Sequence, residues 1–292
     1  CRRLLALGHD VVGTTIDAAD RAPHPLVVCD VTDGDAVDET VREAGPDAVV
    51  HLAAIASVRE ANAMAPVAFD TNVRGAQHVL ESTIAHAAGA TFLAISSAEV
   101  YGRVAPADLP LRETQPVAPT HVYGITKAAL ESLCRAYGDR LRIVILRPFN
   151  HIGPGQSAAF VSSSFAKQIA DIEAGRVEPV LRVGNLGAQR DFTDVRDMVE
   201  AYCLALEHCE PDAPYNICSG KAVAIHTVLE MLLSMTDACV QVEQDPARLR
   251  PSDLPVLRGS ADRFVQATGW EREYELSQTL SDTLDAWRQA GR

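Results

Sequence analysis

Tyr123 and Lys127 stand four residues apart in Tyr-Gly-Ile-Thr-Lys, a spacing that puts both side chains on one face of a helix. A cation beside a phenol favours the phenolate and lowers the phenol's pKa. A tyrosine so placed can give or take a proton near neutral pH. Taken alone, the pair also fits a solvated helix face. Its weight comes from Ser97, in Ser96-Ser97-Ala98-Glu99-Val100-Tyr101-Gly102, directly after the apolar run Thr91–Ile95. In an open α/β sheet, ligands bind beyond the carboxyl ends of the strands. Ser97 at such an end is expected to hydrogen-bond a substrate oxygen that Tyr123 also reaches; a turn or cap serine is the plainer alternative. Glu99 adds a carboxylate, for proton transfer or for structure.

Such a site needs a sheet that delivers several strand ends to one edge. The sequence supplies it. Apolar runs at Val11–Ile16, Leu26–Cys29, Ala48–Ala53, Thr91–Ser96 and Leu141–Leu146 alternate with helical patterns at Asp33–Glu43, Pro66–Ala88 and His121–Tyr137. Short, unalternated apolar strands joined by helices imply a parallel sheet covered on both faces. Past Pro148 the rhythm changes. Strands are expected at Val180–Val183, Tyr215–Ile217 and Val240–Val242. Helices are expected near Phe160–Glu173, Val195–Glu207, Ile225–Met235 and Ser277–Gln289. The fold class is α/β, a doubly wound parallel sheet with a smaller, irregular α/β substrate domain. Residues 1–150, with returning segments at about 191–220, form the first domain; 151–190 and 221–292 form the second.

Composition narrows the partners. The 292 residues carry a net charge of −13, which disfavours nucleic acid and anionic membrane surfaces. No apolar run is long enough to span a bilayer. The seven cysteines are odd in number and lack a C-x-x-C spacing, so reduced, mostly buried thiols and a cytoplasmic location are expected. The histidines show no metal-ligand spacing, and no metal is expected. Lysine occurs only at Lys127, Lys167 and Lys221.

Ser-x-x-x-Tyr-Gly after a strand, followed by Tyr-x-x-x-Lys, resembles the extended short-chain dehydrogenases/reductases that modify nucleotide sugars. The likeness covers nearly the whole chain and implies a Rossmann-like fold that binds NAD or NADP. By resemblance, Asp30 and Val31 contact adenine. Leu52, Ala53 and Ala54, in His51-Leu-Ala-Ala, lie against the cofactor diphosphate, and Asn72 braces the site. Phe149, in Arg147-Pro-Phe-Asn150, lies beside the nicotinamide, and Asn150 holds the sugar. Asp17 follows the second strand of that fold, where an acidic residue binds the ribose and favours NAD; Arg21 nearby favours NADP. Either cofactor is accepted on this reading.

Later motifs are most similar to GDP-6-deoxy-4-keto-mannose reductases. They are Arg147 to Gln156, Ser164-Phe-Ala-Lys-Gln-Ile169, Gly184 to Asp194, and Arg250-Pro-Ser-Asp253. That resemblance implies that Arg190 and Arg250 clamp the nucleotide diphosphate and that Lys167 holds the nucleotide end. It also implies a GDP-sugar substrate and a homodimer paired through Pro66–Ala88 and His121–Tyr137. Gly153-Pro-Gly-Gln-Ser-Ala158 imitates a dinucleotide fingerprint. With Pro154 in the turn and the first Gly well past its strand, it is assigned to a substrate-side loop. In the family the fingerprint belongs to a strand and glycine turn before the first helix, about 20 residues expected ahead of Cys1.

The expected reaction is reduction of a C4 ketone, with Tyr123 as acid, Lys127 lowering its pKa and Ser97 holding the oxygen. The rivals are a 4,6-dehydratase or 4-epimerase on the same scaffold, with Glu99 as base, and a nucleotide-binding protein without catalysis.

Overall fold

A computed structural model of the chain describes residues 1–20, 22, 24–211, 213–248 and 254–291. In chain order it contains α1 (Arg2–Ala6), β1 (Gly13–Thr15), β2 (Leu26–Val28), α2 (Gly34–Ala44), β3 (Ala48–His51), α3 (Val58–Ala63), α4 (Ala65–Phe69), α5 (Ala76–His86) and β4 (Thr91–Ile95). Then come α6 (Val122–Tyr137), β5 (Arg142–Pro148), β6 (Asn150–Ile152), α7 (Val161–Glu173), β7 (Val180–Val183), β8 (Gln189–Asp194) and α8 (Val195–His208). The last are β9 (Tyr215–Ile217), β10 (Ala222–Ala224), α9 (Ile225–Leu233), β11 (Gln241–Gln244), β12 (Val256–Leu257), α10 (Asp262–Thr268) and α11 (Leu276–Ala290).

β3, β4, β5 and β9 pair in parallel in that order, with Thr91 opposite both Ala48 and Arg142. β4 and β5 are apolar along their length because both faces are covered. Phe92, Ala94, Ile143 and Ile145 face a core shared with α2, α5 and α6. Leu93, Ile95, Val144 and Leu146 face a second core built from α8, β9, Phe264 of α10 and Trp270. β1 and β2 form a separate parallel pair. Around β8 lie β6 and β12, parallel to it, and β10, antiparallel. β7 pairs with β11. A third core of α7, α9 and α11 residues packs beside these strands.

The long helix expected at Pro66–Ala88 is not continuous. α4 runs into a π-helical turn, Asp70–Gly75, before α5 begins. Such turns widen a helix by one residue and concentrate at functional sites. This one holds Asn72 inward and lets Gly75 meet Val31, whose Cγ2 lies 2.6 Å from where a β-carbon would stand. β8 and β10 were not anticipated from the sequence; Gln-Arg-Asp-Phe-Thr-Asp is too polar to read as a strand. The glycine-rich Gly153–Ala158 segment links β6 to α7, where Gln156 ties His151 O to Ser163 Oγ.

Candidate active site

β4 ends at Ile95 and leads into Ser96, Ser97 and a 3-10 turn, Ala98–Tyr101, capped by Ser97. α6 begins beside it, with His121 as N-cap. Ser97 Oγ accepts the Glu99 N–H at 3.2 Å and lies near enough to the Tyr123 phenol to act against the rise in its pKa. One turn along, Lys127 is buried, and its ammonium donates to Ile95 O at 2.7 Å. The structure thus brings Ser97, Tyr123 and Lys127 together at the carboxyl end of the parallel sheet.

The proton chemistry differs from expectation in sign. Burial pushes Tyr123 up to about 12, against the nearby Ser97 hydroxyl and with the Glu99 charge adding to the rise. Lys127 does not reverse this: its Nζ lies 5.9 Å from the ring centroid and its proton goes to a carbonyl. Burial also brings Lys127 down to about 8, so it stays mainly charged at pH 7. Tyr123 is therefore a phenol at neutral pH, a proton donor rather than a ready base.

Asn72 fastens the site from the π-turn. Its Oδ1 accepts Ile55 N–H at 2.7 Å, and its Nδ2 donates to Ile55 O and to Thr126 Oγ1, at 3.2 and 3.0 Å. The loop after β3 is thereby tied to the residue next to Lys127. Below lies a buried polar network that the sequence reading missed. Glu131 accepts two Arg147 hydrogen bonds, at 2.8 and 2.7 Å, and one from Ser96 Oγ at 2.7 Å. Arg147 also donates to Tyr101 Oη, which donates to Asn216 Oδ1. The signal was in the spacing: Tyr123, Lys127 and Glu131 follow one another at four-residue steps on one helix face. His51, at the end of β3, was also missed as an individual residue. Burial and the nearby Lys127 charge bring it down to about 3, so it is neutral, and its Nε2 is buried without a hydrogen-bond partner.

The remaining expected residues divide. Leu52 is exposed at 61%, while Ala53 and Ala54 are half-buried beyond β3. Asp17 is exposed after β1, its Oδ1 accepting Ala19 N–H at 2.8 Å. Asp30 is exposed after β2, with Oδ1 engaged by both Thr32 donors. Val31 has its side chain in the core, and its carbonyl bonds His78 Nδ1. Phe149 likewise is 2% exposed and packs on Gly259 and Cys218, where only glycine leaves it space. Asn150 Oδ1 is buried without a partner, as a waiting acceptor would be. Lys167 is paired with Asp171 at 2.6 Å and lies over the Trp287 ring of α11. Arg190 donates to Leu254 O at 2.8 Å from β8. Arg21 and Arg250 lie outside the described residues.

The sequence profile of the GDP-mannose 4,6-dehydratase family matches residues 9–283. The chain belongs to that family, among the extended short-chain dehydrogenases/reductases. A GDP-6-deoxy-D-mannose reductase of Pseudomonas aeruginosa is 40% identical over 244 residues, covering 83% of this chain and 80% of the relative. The structure of RMD from Pseudomonas aeruginosa complexed with NADPH superposes with a TM-score of 0.85 at 37% identity, covering 94% and 93% of the two chains. A Thermus thermophilus UDP-glucose 4-epimerase complex with NAD superposes with a TM-score of 0.88 at 28% identity, covering 99% and 94%. Reductases and epimerases therefore share this fold and differ in what they do on it.

Proposed function

We propose that the chain is an NAD(P)H-dependent reductase of the C4 ketone of a sugar nucleotide, converting GDP-4-keto-6-deoxy-D-mannose to GDP-D-rhamnose or a similar hexose. The carrying observation is the convergence of Ser97, at the end of β4, with Tyr123 and Lys127 on the first turns of α6, where Lys127 is anchored to Ile95 O. The 40% identical reductase supports the choice of substrate.

The residues suit a nicotinamide cofactor. Lys127 uses one of its three N–H donors on Ile95 O, and the others match ribose hydroxyls. Leu52, Ala53 and Ala54 offer small or exposed side chains at a strand end, and Asp17 or Asp30 supplies acceptors for the adenosine end. A reduced nicotinamide, when bound, supplies hydride to C4. Ser97 orients the C4 oxygen. As charge develops there, Tyr123 transfers its phenolic proton to that oxygen and becomes a phenolate. Lys127 stabilises the phenolate, and solvent then returns the proton.

On this reading residues 1–150 with 191–220 serve the cofactor, and 151–190 with 221–292 serve the GDP-sugar, through Asn150, Arg190 and Arg250. The free, mostly buried cysteines suit a reducing compartment, the cytoplasm. A homodimer through the α4–α5 and α6 faces is part of the proposal; Val67, Phe69 and Ile125 are more than 40% exposed there. The second reading, dehydratase or epimerase, is favoured by the family profile and by the epimerase superposition. The test offers 4-keto sugar nucleotides with NADH or NADPH. The reductase consumes one reduced cofactor per 4-keto sugar, whereas a dehydratase or epimerase leaves the 4-keto sugar alone and instead turns over the parent hexose nucleotide with no net consumption of cofactor.

A further inference from the structure

Lys221 has no part in the site described above, and it lines a second one. A cleft of about 530 Å3 opens between Arg112, Ser219, Arg258 and Arg272, with Pro110 and Val265 as apolar lining. It adjoins a more enclosed recess of about 50 Å3, lined by Lys221 and Thr193; the two share Ser219 and Arg272. Four cations thus converge in a chain whose net charge is −13. The carboxylates on these walls offset them only in part. Asp262 is paired with Arg112 and Asp194 with Arg196, which leaves the exposed Glu275. Arg258, Arg272 and Lys221 form no ion pair among the described residues. Two polar atoms there also lack partners. Arg258 Nε is buried with no hydrogen bond, and so is Oγ1 of Thr193, which is 2% exposed. Buried polar groups are normally satisfied, so an unpartnered one points to a group that binds there.

The walls are braced from beneath. Asp191 is fully buried and accepts Ser219 N–H, Ser219 Oγ–H, Gly220 N–H and Gly259 N–H, at 2.6 to 3.2 Å. These donors are thereby spent, and the cationic side chains are left to a ligand. Asp191 and Thr193 alternate with Arg190 along β8, so they project from the opposite face of the strand. Gly259 rests against Phe149: a β-carbon there would stand 2.5 Å from Phe149 Cζ. The cleft therefore backs onto the catalytic side without containing Ser97, Tyr123 or Lys127. We propose that it is a second anion site, which takes a phosphate-bearing small molecule: Arg258, Arg272 and Lys221 hold the phosphate, and the rest of the molecule lies against Pro110 and Val265. Guanidinium forks match pairs of phosphate oxygens. The volume falls within the range of small-molecule sites, about 300–1,000 Å3. One phosphate fills only a fraction of it, so an ester is expected ahead of free phosphate. The site stands independently of the reductase reading.

Isothermal titration calorimetry tests it with three probes: glucose 1-phosphate, inorganic phosphate and glucose. The wild type is expected to bind glucose 1-phosphate more tightly than inorganic phosphate and not to bind glucose. Arg258→Gln combined with Arg272→Gln should weaken the sugar phosphate by about tenfold or more. Arg190→Gln, on the other face of β8, should stay within about twofold of wild type. Asp262→Asn frees Arg112 and should tighten binding by about threefold, a gain that a damaged fold does not produce. Lys221→Gln alters an exposed side chain, should weaken binding by about threefold, and keeps the test decisive if the double variant does not fold. No binding of either phosphate to the wild type overturns the proposal. So does wild-type affinity in the double variant or in Lys221→Gln, or unchanged or weaker binding in Asp262→Asn. Loss of binding in Arg190→Gln places the ligand on the substrate side and overturns it as well. Inorganic phosphate bound as tightly as the ester makes free phosphate the ligand and overturns the small-molecule assignment.

Discussion

Replacing Arg147 with Met should destabilise the chain far more than replacing both partners of its ion pair. Arg147 is 2% exposed and Glu131 is fully buried, so Arg147→Met leaves a carboxylate out of reach of water with only the half-exposed Arg135, at 3.0 Å, and Ser96 to balance it. Breaking such a pair from one side costs about 3–5 kcal/mol. Tyr101 loses one partner but keeps Asn216, adding about 1 kcal/mol at most. In Arg147→Met with Glu131→Gln, the charge is gone and the amide oxygen still accepts from Ser96. The loss should then shrink to about 1–2 kcal/mol. Urea unfolding followed by the fluorescence of Trp270, buried in the core beneath β4 and β5, reads both variants. Acid provides an internal check. Burial raises the Glu131 carboxyl, but the hydrogen bonds and charge of Arg147 outweigh it and leave it below its ordinary value of 4.5. Its contribution is therefore full above that value and is lost as pH falls through the lower folded one. Wild type should lose stability there, and the double variant should lose less. A single variant within 1 kcal/mol of wild type, or a double variant no better than the single, would refute this reasoning.

Two further outcomes follow from the same geometry. Asn72→Ala removes three hydrogen bonds around Ile55 and Thr126 and should cost about 3 kcal/mol; steady-state kinetics should show kcat falling more than KM rises, because the turn holding Tyr123 and Lys127 loses its brace. Gly102 has φ of +64°, and a β-carbon there would meet Ala118 O at 1.9 Å; Gly102→Ala should lower the thermal midpoint by the equivalent of about 3 kcal/mol or more, and an unchanged melt would contradict the packing described.

The parts legible in the sequence were those where one residue type has one job. Tyr123, Lys127 and Ser97 were found from spacing and from their place after a strand. The strands β7 and β9 matched residue for residue, since short apolar runs have few other uses. What escaped has physical causes. The π-turn at Asp70–Gly75 is invisible to helical periodicity, which registers faces but not a widened ladder. Glu131 carries no signal of its own in the sequence, and only burial shows that it and Arg147 satisfy each other. Val31 and Phe149 were expected to border the cofactor, and the sequence does not show that their side chains turn into the core. The direction of the Tyr123 shift was misjudged because sequence names the neighbouring cation but not the depth of burial.

Deuterium transfer to C4 tests the central claim most directly. The enzyme is given GDP-4-keto-6-deoxy-D-mannose with NADPH or NADH deuterated at the transferable position, and the sugar product is read by mass spectrometry and NMR. The account predicts one deuterium at C4 for each cofactor oxidised, and near-complete loss of transfer in Tyr123→Phe. Turnover with no deuterium at C4, or undiminished transfer in Tyr123→Phe, would contradict it.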